Sequence, residues 1–284
     1  MPTPLERAGN FSQTVNQNNS LIVIRDPATQ QPFPGNVIPP TRLNPIGQAM
    51  LNIFPQPNFL DRSISRGAYN YQYQDIRDLP KRLDQAKVDY NATDKDRISA
   101  RYRDWKQNSK GFTAIAGWSS NWDHYYNNYA KTERSIVLNY TRTITPNILN
   151  EFVFGGRVMG EGTPKPSEQE AAPVLRSARG LANLRQLFPA ANPDNYIPVM
   201  TFGGVIGAPT IAYDNRWPIK AGDTRWSFGN NTTWTRGTHN FKFGGYYEFN
   251  LSDEGIAGNC FTGCFDFGAD ANNPRDAGFA FANA

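Results

Sequence analysis

The stretch RGTHNFKFGGYYEF, Arg236 to Phe249, constrains the fold more than any other part of the chain. Phe241, Phe243, Gly245, Tyr247 and Phe249 take every second position, with Asn240, Lys242, Gly244, Tyr246 and Glu248 between them. Side chains alternate faces along a strand, so this stretch predicts a strand with one aromatic and one polar side. The aromatic side requires either a protein core or lipid against it.

Three hairpins carry the same rhythm. QAKVDYN is followed across ATDKD by RISARYRDW, with Ala86, Val88, Tyr90, Ile98, Ala100 and Tyr102 in the apolar phase. RSIVLNYTR leads through TITPNIL to NEFVFGGRV, with Ile136, Leu138, Tyr140, Phe152, Phe154 and Val158 in phase. TRWSFGNNTTW precedes the opening stretch across TRGTH. Thr, Asp, Asn, Pro and Gly supply the turn chemistry at each short connection. The connections between hairpins are long instead: 107–131, 160–223 and 252–262, with residues 1–80 preceding the first strand. Short and long connections therefore alternate, as they do in outer-membrane barrels with periplasmic turns and outer loops.

Tyr90, Tyr140, Trp234 and Phe241 fall beside the short turns, where amphipathic rings suit a membrane interface. Each alternating run covers about 9–11 residues, enough to cross a bilayer when tilted. The expected fold is all-β: an antiparallel up-and-down meander forming part of a transmembrane β-barrel, with short helices in long outer loops. Its aromatic faces meet outer-membrane lipid and its polar faces enclose water. A soluble β-sandwich is the alternative. Six or seven strands with open edges cannot stand alone in hydrocarbon, so residues 1–284 are expected to be an internal fragment of a larger barrel. Within the loops, Asn44 and Pro45 predict the start of a helix with Ile46, Ala49, Met50 and Ile53 on one stripe. SEQEAAPVLRSARGLANLRQLF predicts one or two helices broken near Pro173 and Gly180.

Composition narrows the function. Charged residues make up 19% and aromatic residues 13%, with 24 Gly and 21 Pro, a balance that fits β structure with long loops. A net charge of +4 over 284 residues gives no basic patch, so no nucleic-acid partner is expected. No G-x-S-x-G, Walker, H-E-x-x-H or strand-following G-x-G-x-x-G motif is present, so neither an enzyme nor a cofactor is expected. Cys260 and Cys264 are too few for a metal site. Four positions along a strand span about 13 Å, against roughly 4.4–6.8 Å in a disulfide, so they pair only within a loop or remain thiols.

Two sets of residues are candidate ligand contacts. Trp118, Trp122, Tyr125, Tyr126 and Tyr129 lie among Asn and Ser in GWSSNWDHYYNNY, a mixture suited to sugar or peptide. The plainer reading is that these rings pack the outer loops together or form the outer girdle. Arg97, Arg101, Arg103 and Arg157 fall on the polar faces, where they would attract anionic solutes or pair with acidic residues.

ERAGNFS, DPATQQPFPGNVIPPTRLNPIGQAML, FPQPN, KVDYNATDKDRISARY, ITPNILNEFVFGG, NNTTWTRGTHNFKFGGYYEF and AGFAFANA follow one another in an order that resembles Oar-like TonB-dependent transporters of Gram-negative outer membranes. The match spans Glu6 to Ala284, and its motifs are structural in kind. The resemblance implies a plugged barrel of about 22 strands. It also implies uptake of a large solute (siderophore, oligosaccharide or peptide) driven through the TonB complex. The TonB box, plug and regulatory-like domain would precede Met1, so TonB would act through a region outside this sequence. Two competing functions are a soluble or cell-surface β-domain that binds glycan through its aromatic loops, and an outer-membrane structural or secretion component.

Overall fold

The computed structural model describes residues 1–74, 76, 78–111, 122, 124, 126–163, 167–213, 220–255, 258, 260–271 and 274–284. Eight strands form: β1 (Lys81–Asn91), β2 (Asp96–Gly111), β3 (Asn127–Thr145), β4 (Ile148–Gly162), β5 (Val199–Thr201), β6 (Lys220–Arg236), β7 (His239–Glu254) and β8 (Cys264–Asp266). Six of them make one antiparallel sheet in the order β1-β2-β3-β4-β6-β7, and β5 pairs in parallel with β8 elsewhere. The three predicted hairpins are therefore neighbours in a single meander.

The strands are longer than their apolar alternation. They run from 11 residues in β1 to 19 in β3, against the expected 9–11. The reason is that hydrogen-bond pairing continues after the apolar phase ends. Gln107 to Gly111 are polar or small, yet they pair with Lys131 to Asn127. The loops expected at 107–131, 160–223 and 252–262 shorten accordingly, with β2 ending at Gly111, β4 at Gly162 and β7 at Glu254. A strand of ~16 residues rising ~3.3 Å each and tilted ~40° reaches about 40 Å, so the sheet extends past a ~30 Å hydrocarbon core.

The hydrophobic core lies outside this sheet. Every buried hydrophobic residue among those described, including Phe11, Ile24, Met50, Phe54, Leu181, Ile197, Met200 and Phe281, belongs to residues 1–54, 122, 171–213 or 261–281. The outer-loop segments fold against one another into one packed unit, as the plainer reading of their apolar residues expects. It sits at the end of the sheet opposite the short turns Ala92–Lys95, Pro146–Asn147 and Gly237–Thr238.

Buried polar side chains tie that unit together. Asn36, in the left-handed region beside Gly35, donates through Nδ2 to the carbonyls of Phe11 (2.7 Å) and Ile22 (2.8 Å) and accepts from Ile24 N–H at 2.7 Å. Arg7 donates to the carbonyls of Pro2, Leu51 and Pro55, closing the end of the helix Pro45–Ile53. That helix forms as expected: Asn44 Oδ1 accepts from Ile46 and Gly47 N–H, and Met50 and Ile53 are buried. The helices expected over 167–188 shrink to Glu168–Ala171 and a 3-10 turn, Ala172–Val174. Beyond Pro173 the backbone pairs with another segment instead of with itself. Val174 C=O accepts from Ile197 N–H, and Arg176 N–H donates to Asn195 C=O.

Asn36→Ala strips the Ile22 carbonyl and the Ile24 N–H of their side-chain partner and leaves Phe11 C=O with its bond from Thr14 N–H alone, which should cost roughly 2 kcal/mol or more. We expect a lower unfolding temperature for the packed unit, read by near-ultraviolet circular dichroism. An exposed control, Asn18→Ala, should leave it unchanged.

Candidate functional site

The pairing register turns six separate alternations into two continuous faces. One row of partners crosses the sheet as Val88, Ala100, Leu138, Phe154, Phe228 and Tyr247. The next runs through Ala86, Tyr102, Ile136, Gly156, Trp226 and Phe249. Among the described residues nothing covers this face: Phe243 is 58% and Tyr247 64% exposed. Charges bracket it. On β2 the uncharged stretch lies between Asp96 and Asp104, and on β3 between Arg142 and Arg134. Eight positions span ~27 Å along a strand, or about 21 Å once tilted by ~40°, close to the ~25 Å apolar band of an outer-membrane barrel.

The turn-side rim has an interfacial character. Tyr140 lays its ring on the apolar band and donates its hydroxyl to Asp96 at 2.6 Å; Asp96 also faces Arg142 at 3.4 Å. Trp234 and Phe241 pack at 5.5 Å, and the Arg236 guanidinium lies over Trp234. The polar intruders satisfy one another: Asn150 Nδ2 donates to Asn230 Oδ1 at 3.0 Å and Thr232 Oγ1 at 2.9 Å. In hydrocarbon no water could do so. Two glycines allow close approach. A Cβ on Gly156 would collide with the Trp226 ring, and one on Gly244 with the Asn230 carbonyl.

The opposite face is polar. One of its rows reads Lys87, Arg101, Val137, Gly155, Ser227 and Glu248; another reads Gln85, Arg103, Ser135, Arg157, Arg225 and Asn250. Lys87 pairs with Asp89 at 2.7 Å, Lys131 with Glu161 at 3.0 Å, Arg157 with Glu133 at 3.1 Å and Arg225 with Glu248 at 3.4 Å. Arg101 and Arg157, alike in the sequence, therefore differ. Arg157 is neutralised by its neighbour, whereas Arg101 points into the water-facing side without an ion pair among the described residues.

Of the aromatic set, the described rings Trp122 and Tyr129 lie in different parts of the protein. Trp122 is only 3% exposed, packs on Phe54 at 5.4 Å and donates Nε1–H to the Thr210 carbonyl. It holds the packed unit to the β2–β3 connection. Tyr129 sits on the polar face of β3 and donates to Glu161 at 3.0 Å. Tyr126 is half-buried just before β3, and Trp118 and Tyr125 lie outside the described residues. Next to Trp122, the His124 ring lies tilted against Trp122 at 5.2 Å and Tyr213 at 6.0 Å, and burial pushes its pKa down to about 3. Cys260 and Cys264 are joined by a disulfide with Cα atoms 5.3 Å apart, closing a turn in the packed unit.

Sequence reasoning missed a cleft of 560 Å³ in the packed unit, lined by Val15, Phe59, Tyr69, Tyr71, Ile206 and Phe279 among others. Its walls come from four distant segments, so no local signal marks it. Leu60 and Ile206 stand exposed at its edge.

Two measurements check this geometry. Leu138→Lys places a cation on the uncharged band and should cost about 2–4 kcal/mol, whereas Asn139→Lys, one residue on and facing water, should cost little. The temperature at which the detergent-resistant form unfolds on a gel reads both. For His124 the folded pKa lies below the unfolded value near 6.5, so only the unfolded state takes up the proton between pH 6.5 and about 3. Stability is thus retained above pH 6.5 and falls by up to about 1.4 kcal/mol per unit as pH drops through that window. His124→Phe should flatten that slope in acid unfolding curves.

A family model described as an outer membrane beta barrel domain matches residues 1–284, the whole length. No curated protein and no solved structure matches the chain. With the apolar band, its charged borders and the polar opposite face already in place, that match identifies the chain as a member of the outer membrane beta barrel domain family, located in the outer membrane.

Proposed function

We propose that this chain is a segment of a TonB-dependent transporter or receptor that takes up a large solute such as a siderophore, oligosaccharide or peptide. The observation that carries this reading is the gathering of the long connections into one packed unit at the end opposite the short turns, with a 560 Å³ cleft in it. In outer-membrane barrels the short turns face the periplasm, so such a unit lies on the outside, where a solute arrives. The sheet below it presents a charged, water-facing wall along which the solute would pass. The ordered motifs shared with Oar-like transporters support the same reading. Glu6, Arg7, Phe11 and Asn36, all within those motifs, build the packed unit. The burial of Trp122 argues against capture of glycan through a free aromatic loop.

The test is uptake of labelled siderophores, oligosaccharides and peptides by cells carrying the full-length protein, with and without functional TonB. Uptake that needs both the protein and TonB is expected. Normal uptake after loss of the gene, with altered secretion or surface composition, would assign the barrel a structural role instead.

A further inference from the structure

We infer that the water-facing side of β2 is an oxyanion-binding strip, formed by Arg97, Arg101 and Arg103, for a solute carrying two or more phosphate or carboxylate groups. This rests on the uptake reading and names the chemistry of the solute. Among the arginines of this face, charge accounting singles out these three; of the described lysines, Lys81 and Lys242 also lack an ion pair, but they stand at the far end of β1 and on β7. Lys87, Lys131, Arg157 and Arg225 each have a carboxylate within 3.4 Å. Among the described residues, Arg97, Arg101 and Arg103 make neither an ion pair nor a side-chain hydrogen bond, and Arg103 Nε is buried without a partner. The nearest carboxylates are already engaged. Asp89, diagonal to Arg101, holds Lys87, and Glu133, diagonal to Arg103, holds Arg157.

Over the polar faces of β1 to β4, from the turn-side rows up to Glu133, the cations Lys87, Arg97, Arg101, Arg103 and Arg157 stand against Asp89, Glu133 and Glu151, five to three. A surplus of two positive charges on a wall backed by lipid is focused by the low dielectric behind it. Guanidinium groups bind carboxylate and phosphate through paired N–H donors. Residues two apart on a strand lie ~7 Å from each other, so Arg101 and Arg103 can engage two oxyanion groups of one molecule, with Arg97 ~13 Å further toward the turn. The row neighbours of Arg97 and Arg103, Gln85, Asn91, Ser135 and Thr141, are neutral and polar, and those of Arg101 are Val137 and Lys87, so none of them opposes that charge.

The test is isothermal titration of the purified full-length protein with tripolyphosphate at low ionic strength, with monophosphate and sucrose as controls. Tripolyphosphate should bind more tightly than monophosphate, sucrose should not bind, and added salt should weaken the interaction. Arg101→Gln with Arg103→Gln should reduce tripolyphosphate affinity by about tenfold or more. Arg101→Lys with Arg103→Lys keeps the charge but not the paired donors and should bind tripolyphosphate more tightly than the Gln variant and less tightly than the wild type, which guards against a folding defect in the first variant. Absence of binding to the wild type, or equal affinity in the Gln variant, overturns the inference. So does a Gln variant whose barrel melts earlier while the wild type binds no tripolyphosphate, since the arginines would then serve acidic residues of the protein itself. TonB-dependent uptake without tripolyphosphate binding sinks this inference alone. Binding without TonB dependence sinks the uptake reading alone.

Discussion

In hydrocarbon no water is available to hydrogen-bond a peptide group, and each unpaired N–H or C=O costs several kcal/mol. The long antiparallel ladder from β1 to β7 answers that constraint, and most other features of the sheet follow from it. Because every inner strand pairs on both sides, side chains can stand only on the two faces, and their alternation decides what each face meets. Where polar side chains enter the lipid side, as at Asn150, Asn230 and Thr232, they bond to one another. Where strands must approach closely, glycine stands at 156 and 244. Among the described residues β1 and β7 each pair on one side only.

The sheet has no core of its own, which explains why the packed unit exists as a separate body. Lipid solvates the aromatic face and water the charged face, so neither supplies the burial that drives folding of a soluble domain. The long connections face water and obey the ordinary rule: they bury Phe11, Ile24, Met50, Phe54, Leu181, Ile197 and Phe281 against one another. Such irregular segments leave many backbone groups outside any ladder. Asn36 and Arg7 satisfy several of them, which gives a physical reason for polar residues at the centre of an apolar unit.

The two halves meet through the strand extensions and through Trp122, whose ring is anchored in the packed unit while its chain returns to β3. A cleft in the unit and an uncompensated row of arginines on the wall are chemically different features. The cleft presents aromatic and aliphatic surface together with polar groups such as Glu6, Gln13 and Asn70, whereas the arginine strip presents positive charge.

Period-two alternation, turn residues and the contrast of short with long connections were enough to place the six strands, their apolar sides and the membrane they cross. Each is a local signal, written within about ten residues. The Asn44–Pro45 helix start was local in the same way and appears in the structure. The length of the strands was not legible, because pairing at Gln107–Gly111 depends on a partner segment and not on its own pattern. Nor was the loss of helix after Pro173, where Ile197 and Asn195 compete for the backbone. Arg101 and Arg157 look alike as letters; only the neighbouring strand, by bringing Glu133 to Arg157 and Lys87 to Arg101, makes the second a neutral pair and leaves the first without an ion pair among the described residues. The sequence alone determined which side of each ribbon is apolar. Tertiary structure decided which residues share a row, a cleft or a core, because contact between segments far apart in the sequence is set by register and packing that no local pattern encodes.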